Sequence, residues 1–237
     1  MLAYNNIITR SGNITIHWGD GSNNIYTIDN DMKAFSHIYS NSSENTITIT
    51  GDNIIGLSCN SLQLASLDVS RNTNLTHLEC IGNNLTCLDL SYNTKLTHLC
   101  CNVNQLMSLD VSNNIALINL SCYHNQISNL DVSRNTALES LSCDRNLLTS
   151  LDISNNILLK SLRCDDNQLQ ADALDELFRT LPKVDTLASI TIRSNPGEFH
   201  CDRSIATDKG WKVWMVYGAI IFIPLQWLFK MMWFILG

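Results

Sequence analysis

Leu75-Thr76-His77-Leu78-Glu79-Cys80-Ile81-Gly82-Asn83-Asn84-Leu85-Thr86-Cys87-Leu88-Asp89-Leu90-Ser91-Tyr92-Asn93-Thr94-Lys95 runs without a gap into a second segment that opens Leu96-Thr97-His98-Leu99 and keeps its leucines in the same places. Written in lines of 21 residues from Ile54, the chain gives five full lines and a sixth, divergent one that ends near Gln170. Cys59, Cys80, Cys101, Cys122, Cys143 and Cys164 fall in one column, and Asp68, Asp89, Asp110, Asp131 and Asp152 in another. A fixed period of this kind marks a solenoid, in which each coil buries its apolar face only against its neighbours.

Each line holds two half-units of similar form, L-x-x-L-x-C-x-x-N and L-x-x-L-D-V-S-x-N. Period-2 alternation predicts a short strand in each half, on opposite sides of the coil. Leu78 and Cys80 then point inward while His77 and Glu79 face out. On the other side Leu88 and Leu90 point in, with Cys87 and Asp89 out. A stack of such coils, spaced about 4.8 Å apart, lines up equivalent residues as ladders. The asparagines Asn83, Asn104, Asn125, Asn146 and Asn167, and the second file Asn72, Asn93, Asn114, Asn135 and Asn156, fall where the coil must turn. A carboxamide there can satisfy both a backbone donor and a backbone acceptor. Leu62 replaces the expected asparagine in the first coil, as suits an atypical terminal repeat.

The pattern L-x-x-L-x-C-x-x-N-x-L-x-x-L-D-V-S-x-N-T, over about residues 12 to 213, resembles the leucine-rich-repeat surface proteins of Bacteroidetes. That resemblance implies a leucine-rich-repeat β-solenoid, mostly β with few helices, displayed at or secreted from a bacterial cell.

The flanks extend the picture. Asn13-Ile14-Thr15-Ile16-His17 and Thr46-Ile47-Thr48-Ile49-Thr50 alternate as strands do, and Gly19-Asp20-Gly21 reads as a turn. Trp18-Gly19-Asp20-Gly21, with His37 and Tyr39 later, resembles a PKD-like β segment, here short enough to be a strand cap over residues 1–53. In such relatives a leader precedes this segment, so the resemblance implies a front end missing from this chain. After the repeats (54–170), Ala171, Leu174, Leu177, Phe178 and Leu181 lie at helical spacing, with Asp172, Asp175 and Glu176 near the start and Pro182 as the stop. A helix over 171–181 and a strand near 189–193 are expected to form a C-terminal cap that ends at residue 213. Ile205-Ala206 and Lys209-Gly210-Trp211-Lys212-Val213 resemble the family's closing segment.

From Val213 to Gly237 the chain is almost wholly apolar, with Lys230 its only charge. That is long enough to span a bilayer, and Trp211, Trp214 and Trp233 suit interfacial anchors. Pro224 and Lys230 argue against a span, and an artefactual tail is the alternative.

The composition removes other functions. With 22 acidic against 15 basic residues the net charge is −7, the wrong sign for a phosphate-binding surface, so no nucleic-acid partner is expected. No G-x-S-x-G, H-E-x-x-H or phosphate loop occurs, and no enzyme activity or cofactor is expected. Six thiols spread along a line cannot converge as zinc requires, and in-register neighbours suit disulfides poorly. The cysteine column is read as core and no metal is expected. Cys87 and Cys100 are expected at the surface as two reactive thiols, with a transition-metal site among Cys100, His98, His77 and Glu79 the lesser alternative. The Asp column is read as hydrogen-bonded by neighbouring serines, with a calcium ladder the lesser alternative.

The L-D-V-S side repeats itself from coil to coil; the L-x-x-L-x-C side varies. The varying positions include His77, Glu79, His98, Asn102, Tyr123, Asp144 and Arg163, and these form the expected face for a protein or glycan ligand. The competing expectation is a stalk or spacer carrying some other domain. Nothing in the pattern implies an oligomer.

Overall fold

The computed structural model describes residues 2–9, 11–29, 32–38, 46–51 and 53–215. Among the described residues, five strands precede the repeats or lead into them: β1 (Leu2–Thr9), β2 (Ser11–His17), β3 (Asn23–Asp29), β4 (Met32–Ile38) and β5 (Thr48–Gly51). Each coil then contributes one strand to a common sheet: β6 (Ile54–Ser58), β7 (His77–Glu79), β8 (His98–Cys100), β9 (Asn119–Ser121), β10 (Ser140–Ser142) and β11 (Ser161–Arg163). The chain closes with helix α1 (Ala171–Thr180), β12 (Ala188–Thr191), helix α2 (Ser204–Thr207) and β13 (Trp211–Trp214).

The expected β-solenoid is what the chain forms. β6 to β13 are parallel and in register, His77 opposite His98, His98 opposite Asn119, and so on to Thr191 opposite Trp214. The core is a file of leucines and cysteines: Leu78, Leu99, Leu120, Leu141 and Leu162 are buried beside Cys80, Cys101, Cys122, Cys143 and Cys164. Each buried leucine contributes about 1.5–3 kcal/mol, and only stacking makes that burial possible.

Three features differ from the sequence expectation. The solenoid has eight parallel strands where the repeat count gave six, because β12 and β13 close two further coils. Register pairs Ser161 with Ser189 and Ser189 with Lys212, so these coils take 28 and 23 residues and hide from a 21-residue ruler. The longer one holds α1, whose Leu174, Leu177 and Phe178 are buried in the core.

The second difference is that only one side of each coil is a strand; among the described residues the L-D-V-S side has none. Its side chains alternate as expected, Leu88 and Leu90 in, Cys87 and Asp89 out. Its backbone, however, is spent on turns within the coil: Asn93 N–H donates to Leu90 O at 3.0 Å and Leu96 N–H to Asn93 O at 3.1 Å. Neighbouring coils are joined there by the second asparagine file instead, Asn93 Nδ2 donating to Val69 O and Asn72 O, both at 3.0 Å.

The third concerns the last strand. The cap was expected to end at Val213, but Trp214, expected to begin the tail, also belongs to β13. Trp211, expected as a membrane anchor, is buried with its Nε1 donating to Pro182 O at 2.8 Å. The apolar run from 216 to 237 lies outside the described residues, as does Tyr39 of the PKD-like motif. Among the described residues no helix is long and apolar enough to cross a membrane.

At the other end β1 pairs antiparallel with β6, and β4 with β1, so the solenoid sheet continues into the N-terminal segment. The Leu2–Thr9 strand was not anticipated, since its alternation is interrupted by Asn5 and Asn6. A separate sheet, ordered β3-β2-β5, carries the Ile/Thr runs, with the buried Trp18 holding Asn24 Oδ1 through Nε1 at 2.7 Å.

Candidate ligand-binding face

The two asparagine files do different work. Asn104 Oδ1 accepts from Leu85 N–H at 3.1 Å while its Nδ2 donates to Cys80 O at 2.9 Å and Cys101 O at 3.1 Å, and the same set recurs at Asn83, Asn125, Asn146 and Asn167. Asn195 continues this file in the next coil, donating to Cys164 O at 2.9 Å, although the sequence shows only a loop-like Asn-Pro-Gly there. In the second file the amide donates but the oxygens of Asn93, Asn114, Asn135 and Asn156 have no hydrogen-bond partner, so the expectation that both files satisfy both kinds of group holds for only one.

This bonding fixes the backbone of the strand face, and the side chains on it can be placed one by one. His77 is exposed, and Glu79, His98 and Tyr123 are half-buried. Arg163 is exposed and lies 3.4 Å from Asp144 Oδ2. Glu79 turns toward β6, its Oε2 accepting from Ser58 Oγ at 3.1 Å and Asn60 Nδ2 at 3.0 Å. His77 and His98 stack with ring centroids 4.3 Å apart.

Asn102 and Asp144 were expected to face a ligand and are instead buried, each only 4 % exposed. Their column lies two residues past the strand, where the chain has begun to turn and the alternation of a strand no longer applies. Side chains there fold back onto the next coil: Asn60 Oδ1 accepts from Ile81 N–H at 2.8 Å, Asn102 Oδ1 from Tyr123 N–H at 3.1 Å, and Asp165 Oδ1 from Arg193 N–H at 3.1 Å. Burial raises the carboxyls of Asp144 and Asp165 above the usual range, with Arg163 opposing it in both.

The thiols separate in the same way. Cys87 is exposed, while the six column cysteines are buried. Cys100 is only half-exposed, and burial together with Glu79 pushes its thiol up to about 12. It therefore stays protonated at neutral pH and is not the reactive surface thiol expected of it. Among the described residues no three His, Cys, Asp or Glu side chains are grouped to hold a metal.

The opposite side is uniform. Asp68, Asp89, Asp110, Asp131 and Asp152 each accept from the backbone N–H of the serine two residues on, at 2.8–2.9 Å. These serine hydrogen bonds hold Asp68, Asp89, Asp110 and Asp131 below the ordinary carboxylate range. A depression of about 280 Å³ lies there among Cys87, Asp89, Ser108 and Asp110, and one of about 500 Å³ lies at the C-terminal cap beside Arg203, Trp211 and Lys212.

No protein-family model matches the chain, and no curated protein matches it in sequence. Among solved structures it is similar to the functional domain of InlJ from Listeria monocytogenes, described as including a cysteine ladder, at 34 % identity and a TM-score of 0.51 over 65 % of this chain and 38 % of that one. An internalin, InlF, from the same organism aligns at 25 % identity and a TM-score of 0.51, covering 60 % of this chain and 42 % of its own. A leucine-rich-repeat protein of Leptospira interrogans has the same fold, with a TM-score of 0.55 over 68 % of this chain and 48 % of its own. The chain thus has the leucine-rich-repeat fold, and it spans less than half the length of each of these structures.

Proposed function

We propose that this chain is a non-enzymatic recognition module that binds a protein or glycan through the outer face of β7 to β11 at a bacterial cell surface. The observation that carries this is the contrast between the two sides of a single coil. The strand side is tied coil to coil by sheet hydrogen bonds and the other by asparagine amides, yet the second repeats Asp and Ser on every coil while the first changes residue from coil to coil. Outward positions on a parallel sheet are free of packing constraint, so their variation can encode a partner. The anchors are the exposed His77 and Arg163 and the half-buried His98 and Tyr123, the aromatic and guanidinium groups of the variable positions, with Glu79 beside them. Similarity to internalin structures supports an interaction role, and the short PKD-like segment is read as the cap that seals the first coil.

The test is a screen of the full chain against immobilised glycans and extracellular proteins, followed by alanine substitution on both sides. Tyr123→Ala, His98→Ala and Arg163→Ala should each weaken binding about tenfold or more. Asp89→Ala and Asp110→Ala should leave it unchanged; the reverse pattern would place the ligand on the other side. The apolar run beyond Met215 is the proposed membrane contact, read by whether a chain ending at Met215 leaves the membrane fraction.

A further inference from the structure

Charge is unevenly spread along the chain. No acidic residue follows Asp208, whereas Lys209, Lys212 and Lys230 do, so a protein of net charge −7 closes on a positive stretch. β13 is the terminal strand of the solenoid sheet and pairs with β12. The open depression of about 500 Å³ beside it is lined by Arg203, Thr207, Gly210, Trp211, Lys212 and Val213, two cations and no carboxylate. Arg203 and Lys212 are both exposed. Arg203 Nη1 touches Met215 Sδ, and Lys212 Nζ lies 4.0 Å over the ring of Trp214, itself 40 % exposed. Leu187, 96 % exposed, stands at the start of the same strand pair, where Ala188 is opposite Trp211.

We propose that this last coil is a docking surface for an anionic lipid bilayer, an inference that rests on the membrane contact proposed above for the run beyond Met215. The depression offers Arg203 and Lys212 to headgroup phosphates, and a lysine or arginine close to an anionic bilayer favours the bound state by about fivefold. Trp214 and Leu187 are the apolar groups beside those cations, and tryptophan is the side chain that settles at headgroup depth. The run from 216 to 237, with Lys230 its only charge, continues from Met215 at this same end.

The acids of this coil do not line the depression. Glu198 is buried and accepts from Ser194 N–H. Asp202 accepts from Ser204, from its N–H at 3.0 Å and its Oγ at 2.6 Å. Asp208 is exposed outside the lining. Every other acidic residue lies earlier in the chain, so an anionic surface attracts the cap and repels the body of the rod. The rod then stands on its last coil, and the outer face of β7 to β11 points sideways, open to a partner in solution. A bilayer is favoured over a second copy stacked cap to cap, because two such ends would set Arg203 and Lys212 against their own kind.

The test is hydrogen exchange of the full chain, alone and with vesicles of phosphatidylcholine or of phosphatidylcholine mixed with phosphatidylglycerol. Exchange over residues 202–215 should slow on the anionic vesicles, stay unchanged on the neutral ones, and recover as salt rises to about 1 M. Arg203→Glu with Lys212→Glu should abolish the slowing. Arg71→Glu with Arg134→Glu, which alters the net charge equally at exposed sites on the body of the rod, should leave it in place. No slowing, equal slowing on both vesicles, or slowing that survives the cap reversal would overturn the inference, and the wild-type comparison decides even if a variant fails to fold. Slowing without lipid that grows with protein concentration would put a second copy on β13 and overturn it too. A chain that needs the run beyond Met215 to co-sediment with vesicles, while its cap exchanges freely, would sink this inference alone. A cap that slows on anionic vesicles, with co-sedimentation unchanged by truncation at Met215, would sink the other reading alone.

Discussion

Val103 sits in the left-handed backbone region at φ 54°, and so do Ser61, Gly82, His124, Arg145, Asp166 and Ser194 at the same place in their coils. This is the turn that swings the chain away from the strand, one residue before the asparagine that ties the coils together. Glycine takes that conformation freely and asparagine tolerates it, whereas a β-branched side chain is strained there. Val103→Asn is accordingly expected to raise stability by about 1 kcal/mol, seen as a higher midpoint in urea; an unchanged or lower midpoint would mean that the valine is unstrained. Valine is partly exposed at this site, so little packing is lost. None of this was legible in the sequence, because the column reads Ser, Gly, Val, His, Arg, Asp and shares no chemistry. The inward turn of Asn102 and Asp144 was hidden for a related reason. Alternation was carried two residues past the end of a three-residue strand.

At the scale of the coil, the period of the leucines was enough to give the strand face, the core and helix α1, which ends at Thr180 against the expected 181. It was not enough to separate the two halves, since L-x-x-L-x-C and L-x-x-L-D-V-S have the same apolar spacing. What divides them is where the backbone bonds go, and that follows from turn geometry rather than hydrophobic pattern. The difference should be measurable. Asn125 serves Leu106 N–H through Oδ1 and Cys101 O and Cys122 O through Nδ2, so Asn125→Ala strands the buried Leu106 N–H and takes one of two amide donors from each carbonyl, which keep Asn104 and Asn146. Asn114 serves only Leu90 O and Asn93 O. Asn125→Ala is expected to cost about 3 kcal/mol and Asn114→Ala about 1 kcal/mol less, by denaturant unfolding of the two variants. Equal losses would show that the two files hold the coils alike. The cap coils escaped the reading because their 28- and 23-residue lengths leave the repeat, even though Asn195 keeps its file.

Over the whole molecule, the cysteine column sets an upper limit in pH. Burial pushes Cys59 and Cys122 up to about 12, and Cys80, Cys101, Cys143 and Cys164 also upward. A thiol with a raised value in the fold binds its proton more tightly there than in the unfolded chain, whose thiols titrate near 9.0. The contribution of these groups is therefore complete below about pH 9 and declines as pH rises from there toward about 12. Urea midpoints measured across that window should fall steeply, and Cys122→Ala should shallow the fall; a flat profile would mean that the thiols ionise without opening the core.

One property of the sheet reaches beyond stability. Each coil from β6 to β11 passes its backbone bonds to the next in an identical register, at an identical residue count. A recombination between two coils of the gene would lengthen or shorten the rod by whole coils and leave no seam in the core. It would also bring new neighbours together on the outer face, as His77 and His98 are brought together now. The repeat that makes the rod easy to build therefore makes its surface easy to reshuffle, and a lineage can explore new partners by changing the order and number of its coils while every buried residue keeps its place.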